Sequence, residues 1–114
     1  MIDESTVDSA KSRYVVGIDL GTTNSALCFV DTDQRPWRVD TFRITQWVDV
    51  GVHEQRETLP SFHYQLTSDE AKSVAWQLPW QSSPDDQSVG VFARDAGHRH
   101  PGRRISSAKS WLSH

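Results

Sequence analysis

The clearest hydrophobic pattern in the chain is a pair of apolar runs at residues 14–20 and 25–31, separated by a short polar stretch. Both runs are rich in β-branched and aromatic residues, which favour strands. The residues between them are Gly21, Thr22, Thr23 and Asn24, and glycine and asparagine tolerate left-handed backbone in a turn. The pattern therefore predicts a β-hairpin.

The rest of the pattern is weaker and predicts further strands and short helices. Strands are predicted over 38–48, where apolar positions alternate irregularly, and over 59–66. The stretch 67–88 is polar with two tryptophans and indicates a long loop, in which a short helix over 69–76 is an option. A helix over 90–96, with Gly97 as its C-cap, precedes a second helix that begins near Ser106 or Ser107. Residues 1–12 are polar without periodicity, so we expect a disordered tail.

The apolar residues of the hairpin are the best candidates for the core. Only 36% of the 114 residues are hydrophobic, so we expect a small core and marginal stability. If this sheet is covered on both faces in a longer protein, part of the set is exposed here, and the chain is expected to self-associate. The core candidates are Val15, Val16, Ile18, Leu20, Leu27, Phe29 and Val30.

One acidic residue, Asp19, interrupts the first apolar run. Burying an unpaired carboxylate is costly, so the position needs a reason. The amides and hydroxyls of Thr22 and Thr23 are donors that phosphate oxygens accept, and Mg²⁺ held through water would allow Asp19 to lie beside phosphates. The pattern indicates a phosphate and metal site, and the alternative is an ordinary hairpin with Asp19 facing solvent.

The hairpin sequence also carries a family resemblance. Ile18-Asp19-Leu20-Gly21-Thr22-Thr23-Asn24-Ser25 resembles the first phosphate-binding signature of the Hsp70 (DnaK-like) chaperone family, within the actin, hexokinase and Hsp70 superfamily. The resemblance covers about residues 14–114, although 32–57 and 65–88 are longer than in a typical member. Three later segments are similar to family motifs: Thr58-Leu59-Pro60-Ser61-Phe62, Val89-Gly90 with Ala93-Arg94, and Pro101 with Ala108-Lys109-Ser110-Trp111-Leu112.

The resemblance implies a ribonuclease H-like (actin-like ATPase) α/β fold, in which residues 13–114 form part of lobe I as an antiparallel, hairpin-led sheet with short helices. It also implies ATP or ADP and Mg²⁺ as cofactors. Asp19 would hold Mg²⁺ through water, the residues at 21–24 would bind the phosphates, and Lys109 would reach the γ-phosphate and position the attacking water, so Asp19 and Lys109 would be the catalytic pair. The second phosphate loop and the adenosine pocket come from later sequence in this superfamily. We therefore expect a fragment whose ATPase activity belongs to a full-length parent.

The function that the resemblance implies is that of the N-terminal part of an ATP-dependent chaperone. The partners of the parent would then be unfolded or exposed apolar peptide segments, together with co-chaperones. Two alternatives stay open. One is another ATPase or sugar kinase of the same superfamily, and the other is a protein-binding module that works without nucleotide.

Charge, cysteine content and hydropathy argue against several other classes. Segment 89–114 holds five of the 12 basic residues and one of the 15 acidic ones, but the net charge is −3 and no nucleic-acid motif is present. The single Cys28 excludes an internal disulfide framework and fits a reducing compartment. No signal peptide or apolar run of membrane-spanning length is present, so we expect a cytoplasmic protein without a membrane partner. His98 and His100 are predicted to lie in a solvated turn.

Overall fold

The computed structural model of the protein describes residues 12–106. This part is mixed α/β, with mostly antiparallel strands and few helices, as the coarse sequence pattern predicted. The strands are β1 (Tyr14–Leu20), β2 (Asn24–Asp31), β3 (Val39–Phe42), β4 (Ile44–Asp49), β5 (Val52–Arg56), β6 (Leu59–Pro60), β7 (Phe62–Gln65), β8 (Gln87–Val89) and β9 (Arg104–Ser106). The helices are α1 (Ser68–Ser73), α2 (Val91–Arg99) and a 3₁₀ turn (Pro101–Arg103).

The strands form three antiparallel sheets. The first has the order β1-β2-β3, and β6 pairs with the beginning of β2, in line with β3. The second is the β4–β5 hairpin, which has an irregular register between Trp47 and Asp49. The third has the order β8-β7-β9. Since β6 and β7 flank Ser61, this residue connects the first sheet to the third.

The two helices begin in different ways. Thr67 caps α1, because its hydroxyl accepts the N–H of Glu70 while the Glu70 carboxylate accepts the N–H of Thr67. Helix α2 begins after Gly90, whose φ of 106° favours glycine. No side chain of α2 itself caps this end. The side chain of Gln46 on β4 accepts the N–H of Val91 instead.

The buried core lies between the third sheet, the β4–β5 hairpin, α2 and the segment after α1. Two aromatic rings pack against Trp76, Trp47 edge to face at a centroid distance of 5.0 Å and Phe92 tilted at 4.9 Å. The indole N–H of Trp76 donates to the C=O of Glu70 at 2.7 Å. The buried apolar residues of the described part are Trp47, Tyr64, Leu66, Trp76, Phe92, Ala93 and Ala96.

The predicted core was wrong. Every residue of β1 is exposed, and Val15 and Ile18 retain 61% and 67% of their accessible surface. The residues of β2 are partly buried. The prediction failed because apolar residues occupy both faces of this hairpin, while the other two sheets pack elsewhere. The expected exposure of part of this set is confirmed.

Several predicted element boundaries also change. The strand predicted over 38–48 is interrupted at Arg43, and its halves join different sheets as β3 and β4. The strand predicted over 59–66 is interrupted at Ser61. The long loop at 67–88 contains α1 and β8, and a strand not predicted, β5, follows Gly51, whose φ is 72°. Helix α2 continues to Arg99, so Gly97 is a buried helical residue rather than a C-cap.

The predicted second helix falls largely outside the described residues. Ser106, one of its two proposed N-cap residues, ends β9, and Ser107 lies outside the described residues. Lys109 and residues 1–11 of the tail predicted over 1–12 lie outside the described range. Within residues 12–106, no helix has the length and apolarity needed to cross a membrane.

Candidate functional site

The candidate site is the closed end of the first hairpin. The register places Leu20 opposite Ser25 and Asp19 opposite Ala26, so the chain reverses over 21–24. Gly21 does not adopt a positive φ, contrary to the sequence interpretation. Glycine is needed for space, because a Cβ at this position would overlap the carbonyl oxygen of Asn24. The tightness of this reversal brings the predicted phosphate-binding residues together.

Ser61 holds this reversal from one side. Its N–H donates to the C=O of Thr23 at 2.9 Å, and its hydroxyl donates to the C=O of Gly21 at 2.8 Å. The hydroxyl of Ser25 lies 3.3 Å from the same Ser61 oxygen. A single residue between β6 and β7 therefore fixes two peptide planes of the loop.

The fixed carbonyls determine the direction of the amides that follow them. In a trans peptide unit the N–H points opposite to the C=O, and these peptide units are trans. Because the C=O groups of Gly21 and Thr23 point towards Ser61, the N–H groups of Thr22 and Asn24 point away from it. Amides directed to one side of a tight reversal are the arrangement that binds anions in backbone nests.

Asp19 lies near this loop on a face of small side chains. Its strand neighbours on that face are Gly17, Ala26 and Cys28, and with Thr41 on β3 they line an open hollow of about 330 Å³. A Cβ at Gly17 would lie 2.9 Å from the Cys28 sulfur. Because glycine has no side chain, the face of the sheet beside Asp19 is left uncovered at this position. The carboxylate is exposed and has room around it for a hydrated ion.

The donor set fits Mg²⁺ only in one way. Within residues 12–106, no group of three or more His, Cys, Asp or Glu side chains could hold a metal ion. A single carboxylate is sufficient when Mg²⁺ keeps several waters and takes its other ligands from phosphate oxygens. Asp19 is therefore suited to a metal that arrives with a phosphate ligand, and not to a permanent protein cage.

The opposite end of the hairpin is structural. The guanidinium of Arg13 donates to both carboxylate oxygens of Asp31, at 3.0 and 2.9 Å. This hydrogen-bonded ion pair, aided by the N–H of Asp33, lowers the pKa of Asp31 against the opposing effect of burial and raises the pKa of Arg13. Asp31 therefore closes the open end of the hairpin, whereas Asp19 is left for another role.

The basic and histidine residues of the C-terminal segment do not form a second site in the described part of the chain. Arg103 donates to the C=O of Leu66 at 2.9 Å, and Arg104 lies over the Phe62 ring, so part of the basic C-terminal segment serves packing. His98 lies within α2 rather than in the predicted solvated turn.

Sequence reasoning missed the role of Ser61. The motif at 58–62 was recognised, but no local signal connects a serine to a loop about 40 positions earlier. Such a contact depends on the pairing of β6 with β2. No family model, curated protein or solved structure matches the chain.

Proposed function

We propose that this chain is the N-terminal part of the nucleotide-binding domain of an Hsp70-like, ATP-dependent chaperone, with the ribonuclease H-like architecture of that superfamily. The observation that carries the proposal is the pair of hydrogen bonds by which Ser61 directs the loop at 21–24. Phosphate binding by backbone requires amides that are aligned before the ligand arrives. The loop meets this requirement beside an exposed carboxylate.

The resemblance also implies a role for Lys109, which lies outside the described residues. A lysine ammonium is a compact charge suited to phosphate oxygens.

Each group would have a separate task. The amides and hydroxyls at 21–24 would orient the phosphates, Asp19 would hold waters of the Mg²⁺ shell, and Lys109 would position the attacking water. ATP with Mg²⁺ supplies the phosphoryl chemistry when bound, which depends mainly on positioning and charge neutralisation. The work of the parent would be to couple this hydrolysis to binding of exposed apolar peptides.

The test is a titration of the ¹⁵N-labelled chain with ADP in millimolar excess, with and without Mg²⁺. We expect shifts of the amide resonances of residues 21–24 that are stronger with Mg²⁺. Asp19→Asn should remove the Mg²⁺ dependence. Asp33→Asn, a matched change at the other end of the hairpin, should not. Absence of any shift at 21–24 would contradict the proposal.

Turnover is tested in a longer parent chain. Asp19→Ala and Lys109→Ala should each lower ATP hydrolysis by orders of magnitude, and Lys109→Ala should leave nucleotide affinity nearly unchanged. Unchanged turnover in both variants would remove these residues from catalysis.

A nucleotide-independent protein-binding module is the second candidate. It is favoured by the apolar hollow of about 770 Å³ beside β1–β3, at which Trp80 stays exposed. The titration separates the two functions, since a module of this kind leaves the amides at 21–24 unaffected by ADP and Mg²⁺.

A further inference from the structure

The outer edge of β1 has backbone groups that pair with no strand of the described part of the chain. Strand β1 is the first in the order β1-β2-β3, and β6 joins the sheet on the β3 side of β2. The pairing of β1 with β2 is continuous over seven residues without a bulge. The edge is therefore long and regular, which is the form that accepts another strand.

The hydrogen-bond pattern shows which residues face outward. The N–H of Thr32 donates to the C=O of Arg13, so Arg13 faces β2. Backbone groups alternate between the two sides of an antiparallel strand, and every second residue after Arg13 also faces β2. The residues whose N–H and C=O groups face away are Tyr14, Val16, Ile18 and Leu20.

This edge lacks the devices by which proteins usually protect an edge strand. It contains no lysine, proline or bulge, and all four outward-facing residues are apolar and exposed. Its one charged side chain, Asp19, belongs to a residue whose backbone faces β2. In an antiparallel pair centred on Gly17, Asp19 lies opposite Val15 of the second copy, so no like charge faces it directly.

We propose that this edge pairs with the same edge of a second copy of the chain, antiparallel about a two-fold axis at Gly17. In this register Val16 lies opposite the partner's Ile18, and Tyr14 lies opposite the partner's Leu20. Every outward amide and carbonyl of β1 then finds a partner. The two sheets become one continuous sheet.

The side chains support a second copy as the occupant. The cross-chain pairs on one face are all apolar, and apolar cross-strand pairs stabilise a sheet. On the other face the two Gly17 residues meet without side-chain crowding. The two Asp19 carboxylates lie about 14 Å apart along the strands, beyond the screening length at physiological salt. The interface is thus self-complementary, as a two-fold contact requires.

Sedimentation equilibrium of the full chain over a range of concentrations tests the proposal. We expect a mass that rises towards two chains. Ile18→Lys should weaken association at least tenfold, while Val39→Lys on β3 should not, although the two residues are equally exposed at 67% and 69%. A mass of one chain at every concentration, or equal effects of both substitutions, would overturn the proposal.

Hydrogen exchange locates the contact. In the dimer the amides of Val16 and Ile18 should become protected as concentration rises, while the amide of Gly17 is protected throughout. Val16→Pro removes an N–H that faces away from β2. It should be monomeric by sedimentation and folded by circular dichroism, and it serves as a second variant in case Ile18→Lys does not fold. A dimer in which the Val16 and Ile18 amides still exchange rapidly would show that another surface is used, and would overturn the proposal.

Discussion

The side-chain oxygen of Gln46 accepts the N–H of Val91 at 3.1 Å, across 45 positions of sequence. The Gln46 amide nitrogen also donates to the C=O of Thr58 at 2.9 Å. Gln46 is fully buried and thus joins β4, the segment before β6 and the beginning of α2. One buried polar side chain therefore links three segments that are far apart in the sequence.

Gln46→Leu is expected to lower the free energy of unfolding by about 1–3 kcal/mol, because it removes the hydrogen-bond partners of the Val91 N–H and the Thr58 C=O from a part-buried site. Gln55→Leu is the control, since Gln55 is exposed on the paired strand β5 and should cost less than about 0.5 kcal/mol. Urea unfolding followed by tryptophan fluorescence measures both. Equal losses would show that the buried hydrogen bonds do not stabilise the fold.

The buried phenol of Tyr64 should make the folded protein less stable at alkaline pH. Burial, followed by the hydrogen bond from its hydroxyl to Glu70 at 2.8 Å, raises the pKa of Tyr64 from 10.0 to about 12. The folded state therefore favours the neutral phenol, and this stability is complete below pH 10 and is lost as the pH rises towards 12. The shift corresponds to roughly 3 kcal/mol.

Tyr64→Phe should remove this dependence, and Tyr14→Phe, at an exposed position, should retain it. Urea midpoints measured between pH 8 and pH 11 test the difference. The loss of stability in acid should remain in Tyr14→Phe and be reduced in Tyr64→Phe, which lacks one hydrogen bond to Glu70. Partial burial alone raises the pKa of Glu70, but hydrogen bonds from Thr67 and Tyr64 outweigh it and lower that pKa, so stability falls as the pH drops below about 4.5.

Substitution of two serines, one hydrogen-bonded and one not, should change the stability of the protein differently. Ser61→Ala removes the donor to Gly21 and should cost about 1 kcal/mol, with faster hydrogen exchange at residues 22–24. Ser88 has a buried hydroxyl without a hydrogen-bond partner among the described residues, so Ser88→Ala should be neutral or stabilising. A destabilised Ser88→Ala together with an unaffected Ser61→Ala would contradict this account.

The two tryptophans of the segment after α1 should differ strongly. Trp76 is 1% exposed at the centre of the core, and Trp80 is 65% exposed. Trp76→Ala should cost about 3–5 kcal/mol and Trp80→Ala less than about 1 kcal/mol. Chemical unfolding measures both, and Trp76→Phe provides a milder variant if the alanine variant does not fold. Similar losses at the two positions would place Trp80 in the core as well.

The same two residues show where sequence interpretation reached its limit. Both were assigned to a long loop, yet Trp76 fills the main core. Its burial depends on contacts with Trp47 and Phe92, which come from distant segments of the chain. Local periodicity in the sequence does not predict contacts of this kind. The core candidates failed for a related reason. The residue pattern of the first hairpin predicts strands. Because both faces of the hairpin carry apolar residues, the pattern does not show which face other elements cover.

The sequence by itself determined the first hairpin, its reversal at 21–24 and the location of Asp19 beside it, because strand alternation and turn chemistry are local properties. It also determined the broad class of mixed, mostly antiparallel structure. Only the tertiary structure decided that Ser61 holds the reversal, that Gln46 caps a helix on another element, and that the outer edge of β1 pairs with no other strand within residues 12–106. These features depend on contacts between residues far apart in sequence, whose free energy exists only once the sheets are assembled.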